Sequence, residues 1–178
     1  MLTEIIVSTP CRVWLTDLPD AAATADRVVG AALSAALSAT PFDAVSESGL
    51  TGAEVEIGVT LTNDEEMRRL NLQYQGKDKA TNVLSFVGED IGGNDTPAHG
   101  GPLLLGDIVL AHGVVAAEAD EQGKTMHAHY CHLLVHGTLH LLGHDHLEAA
   151  AAAAMEGLEI SVLAALGIAD PYQIDAPE

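Results

Sequence analysis

The stretch HYCHLLVHGTLHLLGHDH (residues 129–146) holds six of the nine histidines of this 178-residue chain. Its dense apolar residues predict a buried helix from about Met126 to Leu142. Gly143 then predicts a bend, because a glycine just past a helix end readily adopts the left-handed conformation that turns the chain back. The histidines therefore gather around a helix end, and their spacing decides which of them can act together.

His132, His136 and His140 recur every four residues, so they share one face of the predicted helix. They cannot all bind one ion, because eight residues at about 1.5 Å each separate the first from the last by about 12 Å. Zinc–nitrogen bonds, in comparison, are about 2.0–2.1 Å long. A neighbouring pair can chelate an ion, and the bend at Gly143 can bring His146 over the pair as the third ligand.

The spacing His136-x3-His140-x2-Gly143-x2-His146 is also used by the three zinc ligands of metzincin-type metalloproteases. Those enzymes carry their general-base glutamate directly after the first histidine, where this chain has Gly137. A peptide-bond hydrolase without this base would be a poor enzyme. Protease activity is therefore the minor interpretation of the motif.

A divalent ion held by three neutral imidazoles keeps its full charge and lowers the pKa of bound water towards 7, which is the chemistry of a hydrolase. Closed structural zinc sites usually have four protein ligands. Cys131 lies about 140° around the helix from His136 and is badly aimed to be the fourth. Asp145 can orient a ligand or accept a proton, or it can be an acidic residue at the start of the next helix. One zinc ion per chain is expected, with copper and nickel as alternatives.

The composition is strongly acidic, with 26 acidic and seven basic residues and a formal net charge of −19. This balance disfavours a broad face for a polyanion. Four of the basic residues fall within twelve positions and form either a local positive patch or a solvated face: Arg68, Arg69, Lys77 and Lys79. Two distant cysteines, no evident signal segment and no long apolar span lead us to expect a soluble cytoplasmic protein without membrane contact.

Local patterns predict four strands, at residues 2–8, 53–61, 81–87 and 103–111. Helices are predicted at 20–39, at 63–75, from Val114, and at 126–142 and 147–166. A long loop (88–102) and a final polar tail, DPYQIDAPE (170–178), complete the chain. Strands and helices mix without strict alternation, which predicts a single α+β domain with helices packed on a small mixed sheet of about four strands. The metal site lies at the end of a helix in the C-terminal half.

The segment HGTLHLLGHDH (136–146) closely resembles the signature of the YbeY family of bacterial rRNA maturation factors. Three further segments resemble the family in the same order: LNLQYQGKDKATNVLSF (70–86), LLGDIVLA (104–111) and MEGLEISVLAALGIADPY (155–172). The likeness covers about residues 53–172. We expect residues 1–178 to form one domain, in which 1–52 is the weakest match and 173–178 is the polar tail.

The resemblance implies a zinc ion on His136, His140 and His146, and single-strand-specific endoribonuclease activity. It further implies a role in small-subunit rRNA processing, especially at the 3′ end, and in ribosome quality control. The implied partners are rRNA and the small ribosomal subunit, or a ribosomal or assembly protein on it. Two alternatives stay open: a zinc-containing assembly factor that binds RNA without cutting it, and a hydrolase of another substrate, including peptide.

Two positions depart from the family pattern, which usually has Arg at the place of Gln75 and Pro at the place of Ala80. An Arg can hold a phosphate or stabilise the charge that develops during phosphodiester cleavage, which a neutral amide does less well. Lys77 or Lys79 can supply that charge, or they can belong to a solvated turn. The candidate catalytic residues are Asp145, Gln75, Lys77 and Ser85, and the candidate substrate contacts are Arg68, Arg69, Lys79, Asn82 and His132.

Overall fold

The computed structural model describes residues 2–40, 54–88 and 101–173. In chain order the elements are β1 (Leu2–Ser8), α1 (Val13–Asp17), α2 (Ala21–Ala39), β2 (Glu54–Thr62), α3 (Asp64–Gln75), β3 (Val83–Val87), β4 (Leu103–Ala111), α4 (His112–Glu121), α5 (Met126–Leu141) and α6 (Ala149–Ala165). The predicted α+β class is confirmed. Most of the predicted loop 88–102 and residues 174–178 of the tail lie outside the described residues.

The four strands form one mixed sheet in the order β1-β2-β4-β3. β1, β2 and β4 run parallel, whereas β3 pairs antiparallel with β4. In β2 the side chains of Val55, Ile57, Val59 and Leu61 are fully buried, because alternate residues of a strand point to the same face. This face of the sheet carries the main core, against which α2, α5 and α6 pack, whereas Met67 of α3 packs against Val109 and Ala111 of β4 in a second cluster.

Helix α2 presents a stripe of small apolar residues to this core. Its members recur at intervals of three or four residues and are almost completely buried: Ala21, Ala25, Val28, Val29, Ala32, Leu33 and Ala36. The hydroxyl of Tyr130 on α5 donates to the carbonyl of Ala21 at 3.0 Å. A buried hydroxyl thus finds a partner, and it fixes α5 beside α2.

Helix α5 lies so close to the sheet that a side chain at position 137 would crowd its neighbours. A Cβ on Gly137 would lie 2.9 Å from Cγ2 of Ile108 and 3.2 Å from Oγ of Ser85. Because Gly137 faces the sheet, the neighbouring His136 and His140 lie on the flank of the helix. The close approach therefore determines which side of α5 carries the histidines.

The bend after α5 is confirmed at Gly143, whose φ of 87° is left-handed. The amide of Gly143 donates to the carbonyl of His140 at 3.0 Å, and the amide of His144 donates to that of Leu139 at 3.1 Å, which closes the helix end. Helix α6 begins at Ala149, two residues later than predicted. The carboxylate of Asp145 accepts a hydrogen bond from the amide of Leu147 instead, in a turn before the helix.

The prediction of a polar tail is wrong for the first residues of 170–178. The ring of Tyr172 packs edge-on against His132, with ring centroids 5.4 Å apart, and Nζ of Lys124 donates to the carbonyl of Pro171 at 2.6 Å. Tyrosine combines an apolar ring with a polar hydroxyl, so it can pack even within a polar sequence. Among the described residues, no helix is both long enough and apolar enough to cross a membrane.

Candidate metal centre

Three imidazoles converge where α5 ends. The helix supplies His136 and His140, and the chain beyond Gly143 supplies His146. One ring nitrogen from each lies within 4.8 Å of the other two. The ring centroids are 4.5 Å apart for His136 and His140, 5.1 Å for His140 and His146, and 5.7 Å for His136 and His146. The structure thus brings together the three histidines selected from their spacing.

This group has the chemistry and the spacing to hold a divalent ion. The Nε2 atoms of His136 and His140 are 3.0 Å apart, whereas two nitrogens bound tetrahedrally to zinc would be about 3.3 Å apart. Burial, and then the neighbouring His136 and His146, lower the pKa of His140 below its usual value because they disfavour a positive charge. The neutral imidazole is the form that binds a metal. Within the described ranges no fourth His, Cys, Asp or Glu joins this group.

A buried carboxylate, Glu159 on α6, lies behind the group. Its Oε1 is 2.7 Å from Nδ1 of His136, its Oε2 is 3.2 Å from Nε2 of His132, and the hydroxyl of Tyr172 donates to Oε2. Burial alone would raise the pKa of Glu159, but the hydrogen bonds from His132, His136 and Tyr172 outweigh it and lower this pKa to about 2. Glu159 is therefore ionised, and a proton on Nδ1 of His136 leaves Nε2 free for an ion.

His132, His136 and Glu159 form the second group of potential ligands in the described part of the chain. The 2.7 Å between Nδ1 of His136 and Oε1 of Glu159 is the length of a charge-assisted hydrogen bond. Two ligands of one zinc ion would be about 3 Å or more apart. We therefore interpret this second group as a hydrogen-bonded cluster that shares protons.

Sequence reasoning missed Glu159, although a signal was present. Met155, Glu159 and Val162 follow one another at helical spacing, and all three are buried. A glutamate in the apolar stripe of a helix needs a buried partner, which marks it as a functional candidate. No comparable pattern marks Tyr172, because its contacts are made across 13 and 40 residues of sequence.

A polar cavity of about 330 Å³ opens beside His136. Its wall includes His132, His129, Glu118, Asn82 and Lys124. Nε2 of His129 is 2.7 Å from Oε2 of Glu118, and Nδ2 of Asn82 donates to the same oxygen at 3.0 Å. Burial lowers the pKa of His129 more than Glu118 raises it. Two of the candidate substrate contacts, Asn82 and His132, thus lie beside a potential metal ligand.

The other candidates near the centre have local partners. Ser85 on β3 donates from Oγ to the carbonyl of Gly137 at 3.3 Å, a link between strand and helix. Asp145 is exposed and accepts the hydrogen bond from Leu147. Cys131 is buried, with Sγ 3.6 Å from Nε2 of His127, and burial raises the pKa of its thiol to about 11.

The five candidates around α3 are placed elsewhere. Nε of Arg68 donates to Asp78 at 2.7 Å, and Nε of Arg69 donates to Glu66 at 2.9 Å. Both arginines line a separate surface groove. The remaining three are exposed: Gln75, Lys77 and Lys79. Within the described residues, none of the five lines the cavity beside His136. Much of the predicted positive patch is neutralised by the neighbouring carboxylates of Asp78 and Glu66.

The fold and the site define an α+β protein with a three-histidine centre of the kind that holds a divalent ion. The sequence profile of the family described as Endoribonuclease YbeY matches residues 25–167. The chain belongs to this family.

Three relatives named Endoribonuclease YbeY support the assignment over most of the chain. The protein of Paramagnetospirillum magneticum is 46% identical over 170 residues, which cover 95% of each chain. That of Sphingopyxis alaskensis is 48% identical over 86% of this chain and 90% of its own. That of Laribacter hongkongensis is 54% identical over 67% and 70%. A solution structure of a Thermotoga maritima protein is 20% identical, with a TM-score of 0.48 over 99% of both chains.

Proposed function

We propose that this chain is a zinc-dependent endoribonuclease that cleaves single-stranded RNA. The observation that carries the proposal is the convergence of nitrogens from His136, His140 and His146 beside an open polar cavity. The names of the relatives support RNA as the substrate. One ion per chain fits the three-histidine group, and zinc is preferred because imidazole is among its common ligands.

The proposed cellular role is maturation of small-subunit rRNA, especially at its 3′ end, and ribosome quality control in the cytoplasm. The resemblance of the histidine motif and of the three other segments to the YbeY family supports this role. The partners would be rRNA and the small ribosomal subunit, or a ribosomal or assembly protein that helps an acidic chain reach its RNA. Residues 1–178 would act as one domain.

When bound, the ion would stabilise negative charge on a phosphate and acidify the attacking hydroxyl, which is either water or the ribose 2′-OH. The chain's own residues would do the rest. Glu159 keeps Nδ1 of His136 protonated, and Asn82 and His132 border the space where a nucleotide would lie. Asp145, exposed one residue before His146, would exchange a proton with solvent or substrate.

Lys124 is the cation that we assign to a phosphate in this cavity. Nζ donates to Oε1 of Gln122 at 2.9 Å and to the carbonyl of Pro171 at 2.6 Å. Both acceptors are uncharged, and among the described residues Lys124 forms no ion pair, although Glu118 lines the same cavity. Lys124 would thereby supply part of the electrostatic stabilisation that an Arg at the place of Gln75 could give.

A cleavage assay with a matched histidine control tests the proposal. The zinc-loaded chain should cut unstructured RNA faster than structured RNA. A His136→Ala/His140→Ala double variant should lose the activity by several orders of magnitude, while His127→Ala, on the same helix, should retain it. Equal cutting by wild type and double variant would mean contamination and would refute the proposal.

The ends of the products identify the nucleophile. A 2′,3′-cyclic phosphate indicates attack by the ribose 2′-OH, whereas a 5′-phosphate with a 3′-hydroxyl indicates attack by water. The variant Gln75→Arg tests the departure from the family pattern in the same assay. A faster rate would mean that the glutamine limits catalysis, and an unchanged rate would mean that Lys124 or another group already supplies the charge.

A non-cleaving assembly factor is the second candidate, and the charge distribution favours it. The net charge of −19 and the carboxylate pairs of Arg68 and Arg69 leave few cations for RNA. This function predicts RNA binding without product from a fully metal-loaded chain. Peptide hydrolysis is disfavoured because position 137, the place of the metzincin base, is a glycine, and a Cβ there would lie 2.9 Å from Cγ2 of Ile108.

A further inference from the structure

Tyr172 lies outside the ligand group but contacts the carboxylate behind it. Its hydroxyl donates to Oε2 of Glu159, and its oxygen is 3.4 Å from Nε2 of His132. The other carboxylate oxygen, Oε1, is 2.7 Å from Nδ1 of His136. A continuous chain of hydrogen bonds therefore runs from Tyr172 through Glu159 to a ligand of the proposed ion.

The carboxylate depends on these few contacts for its orientation. Glu159 is only 1% exposed, so water does not compete strongly for its oxygens. Without the tyrosine hydroxyl, Oε2 would keep only the longer 3.2 Å contact to His132. The terminal torsion of a glutamate is broad, so a carboxylate that has lost a partner can rotate and weaken its bond to His136.

Tyr172 is itself held in place from two directions. The ring packs edge-on against His132. The peptide bond that precedes the tyrosine is fixed at both of its polar atoms, because Lys124 donates to the carbonyl of Pro171 and the amide of Tyr172 donates to Oδ1 of Asp170 at 2.9 Å. An ordered segment therefore places the hydroxyl against Glu159. A chance surface contact would not require such order in the chain around it.

We propose that Tyr172 is a positioning residue of the metal centre, which acts through Glu159 to hold His136 with Nε2 turned towards the ion. The inference rests on the proposed function in one respect, since it takes the three histidines to be a metal site. It makes the segment after α6 a determinant of metal affinity, although that segment supplies no ligand.

Zinc affinity, measured by competition with a chelator and without RNA, tests this role. Loss of a group that orients a ligand typically weakens metal binding by about 10–100-fold, which is the effect expected for Glu159→Gln. For Tyr172→Phe, one hydrogen bond further from the ion, we expect a dissociation constant about 3–10-fold higher, at or below the lower end of that range.

Tyr130→Phe is the matched control. It also removes a single hydroxyl with one buried hydrogen bond, and it does so on α5, the helix that carries His136 and His140. It should lower the midpoint of unfolding without changing the zinc dissociation constant. A general loss of stability would instead weaken zinc binding in both phenylalanine variants.

The ring of His136 gives a second readout that needs no metal. In the zinc-free chain, nitrogen-15 NMR should show a proton on Nδ1 of His136, as its bond to Glu159 requires. Tyr172→Phe should shift the Nδ1–H signal of this ring, and Tyr130→Phe should leave it unchanged. An Nδ1–H signal that is the same in wild type and Tyr172→Phe would overturn the inference.

The outcomes separate this inference from the proposed function. Unchanged zinc affinity in Tyr172→Phe, in a wild type that binds zinc and cuts RNA, would overturn the positioning role alone. If the zinc-loaded wild type cuts no RNA, while Tyr172→Phe and Glu159→Gln both bind zinc more weakly than wild type does, the nuclease proposal alone would be overturned. A wild type without affinity for zinc would overturn both.

Discussion

At the scale of single residues, the surroundings of a helical glycine should decide whether its replacement by alanine stabilises or destabilises the protein. Gly137 and Gly157 both lie inside helices, α5 and α6. A Cβ on Gly137 would press on Ile108 and Ser85, whereas a Cβ on Gly157 would meet nothing within 4 Å. Ile108 is fully buried and branched at Cβ, so its methyl group cannot move aside freely. The same substitution should therefore have opposite effects at the two positions.

Gly157→Ala should stabilise the protein by about 0.5–1 kcal/mol, because alanine favours the helix. Gly137→Ala gains the same propensity but overpacks the interface between helix and sheet, which typically costs about 1–3 kcal/mol. We expect it to be less stable than Gly157→Ala by about that amount. Denaturant unfolding measures both variants, and equal stabilisation by the two substitutions would contradict the close packing of α5 on the sheet.

His129 should make the stability of the metal-free chain depend on pH. Its folded pKa is lowered by burial, against the pull of Glu118 and with smaller contributions from His132 and Lys124. As the pH falls through about 6.5, the unfolded chain takes up a proton at this residue before the folded chain does, so unfolding becomes easier. The stability advantage of wild type over His129→Gln should therefore shrink between pH 7.5 and 5.5.

The control for this titration is Thr125→Ala, at the start of the same helix, whose difference from wild type should stay constant over the same range because neither side chain titrates. Unfolding measured with a chelator present separates the titration from metal binding. A stability difference between wild type and His129→Gln that grows on acidification would contradict the assignment.

Residue-scale prediction from the sequence succeeded where the interactions are local. His136, His140 and His146 are joined by one helical turn and one glycine bend, so their spacing alone places them together. Glu159 and Tyr172 meet His136 and His132 only because α6 folds back along α5. Such contacts depend on tertiary packing, which the local pattern does not contain.

At the scale of elements, the caps distinguish α5 from α6. The hydroxyl of Thr125 accepts a hydrogen bond from the amide of Ala128 at 3.0 Å at the start of α5. Glu148, at the start of α6, makes no such bond with its side chain. The helix that carries two of the proposed ligands thus begins at a fixed residue, and the alanine-rich α6 depends on intrinsic propensity and on its buried face.

Thr125→Ala should therefore lower the free energy of unfolding by about 1 kcal/mol, the usual cost of losing a cap side chain. Glu148→Ala should change it by less than about 0.5 kcal/mol, as for most surface substitutions. Thermal or denaturant unfolding measures both, and an equal loss in the two variants would show that the cap of α5 contributes nothing specific.

Caps also explain why the ends of helix α3 could be predicted. Asn63 accepts a hydrogen bond from the amide of Glu66, and Gly76 ends α3 with a φ of 68°, in agreement with the helix predicted at 63–75. β4 was predicted to the residue. The start of α6 was misplaced because Leu147 and Glu148 look helical, whereas the hydrogen bond that the amide of Leu147 donates to Asp145 holds the chain in a turn.

At the scale of the whole molecule, the net charge of −19 limits how RNA can be held. Arg68 and Arg69 are engaged by Asp78 and Glu66, so we expect only a few cations to contact phosphates. Binding should therefore depend on shape and on the metal centre more than on a basic surface. A partner protein would then contribute much of the affinity for a ribosomal site.

The affinity for single-stranded RNA should accordingly fall only modestly with salt. In a plot of the logarithm of the association constant against the logarithm of the salt concentration, we expect a slope for about two or three phosphate contacts, at roughly −0.7 each. Lys124→Met should make this slope shallower by about 0.7, the share of one contact. Arg12→Met, at a residue that does not line the cavity, should leave it unchanged. A steep slope that Lys124→Met does not alter would contradict the assignment of Lys124 to a phosphate.

X-ray absorption at the zinc edge of the zinc-loaded chain tests whether three histidines hold the ion. We expect three imidazoles at about 2.0–2.1 Å, one further light atom from solvent, and no sulfur. In His146→Ala the count of imidazoles should fall to two. A sulfur neighbour at about 2.3 Å, or the same coordination in wild type and His146→Ala, would contradict a three-histidine centre with one place open to substrate.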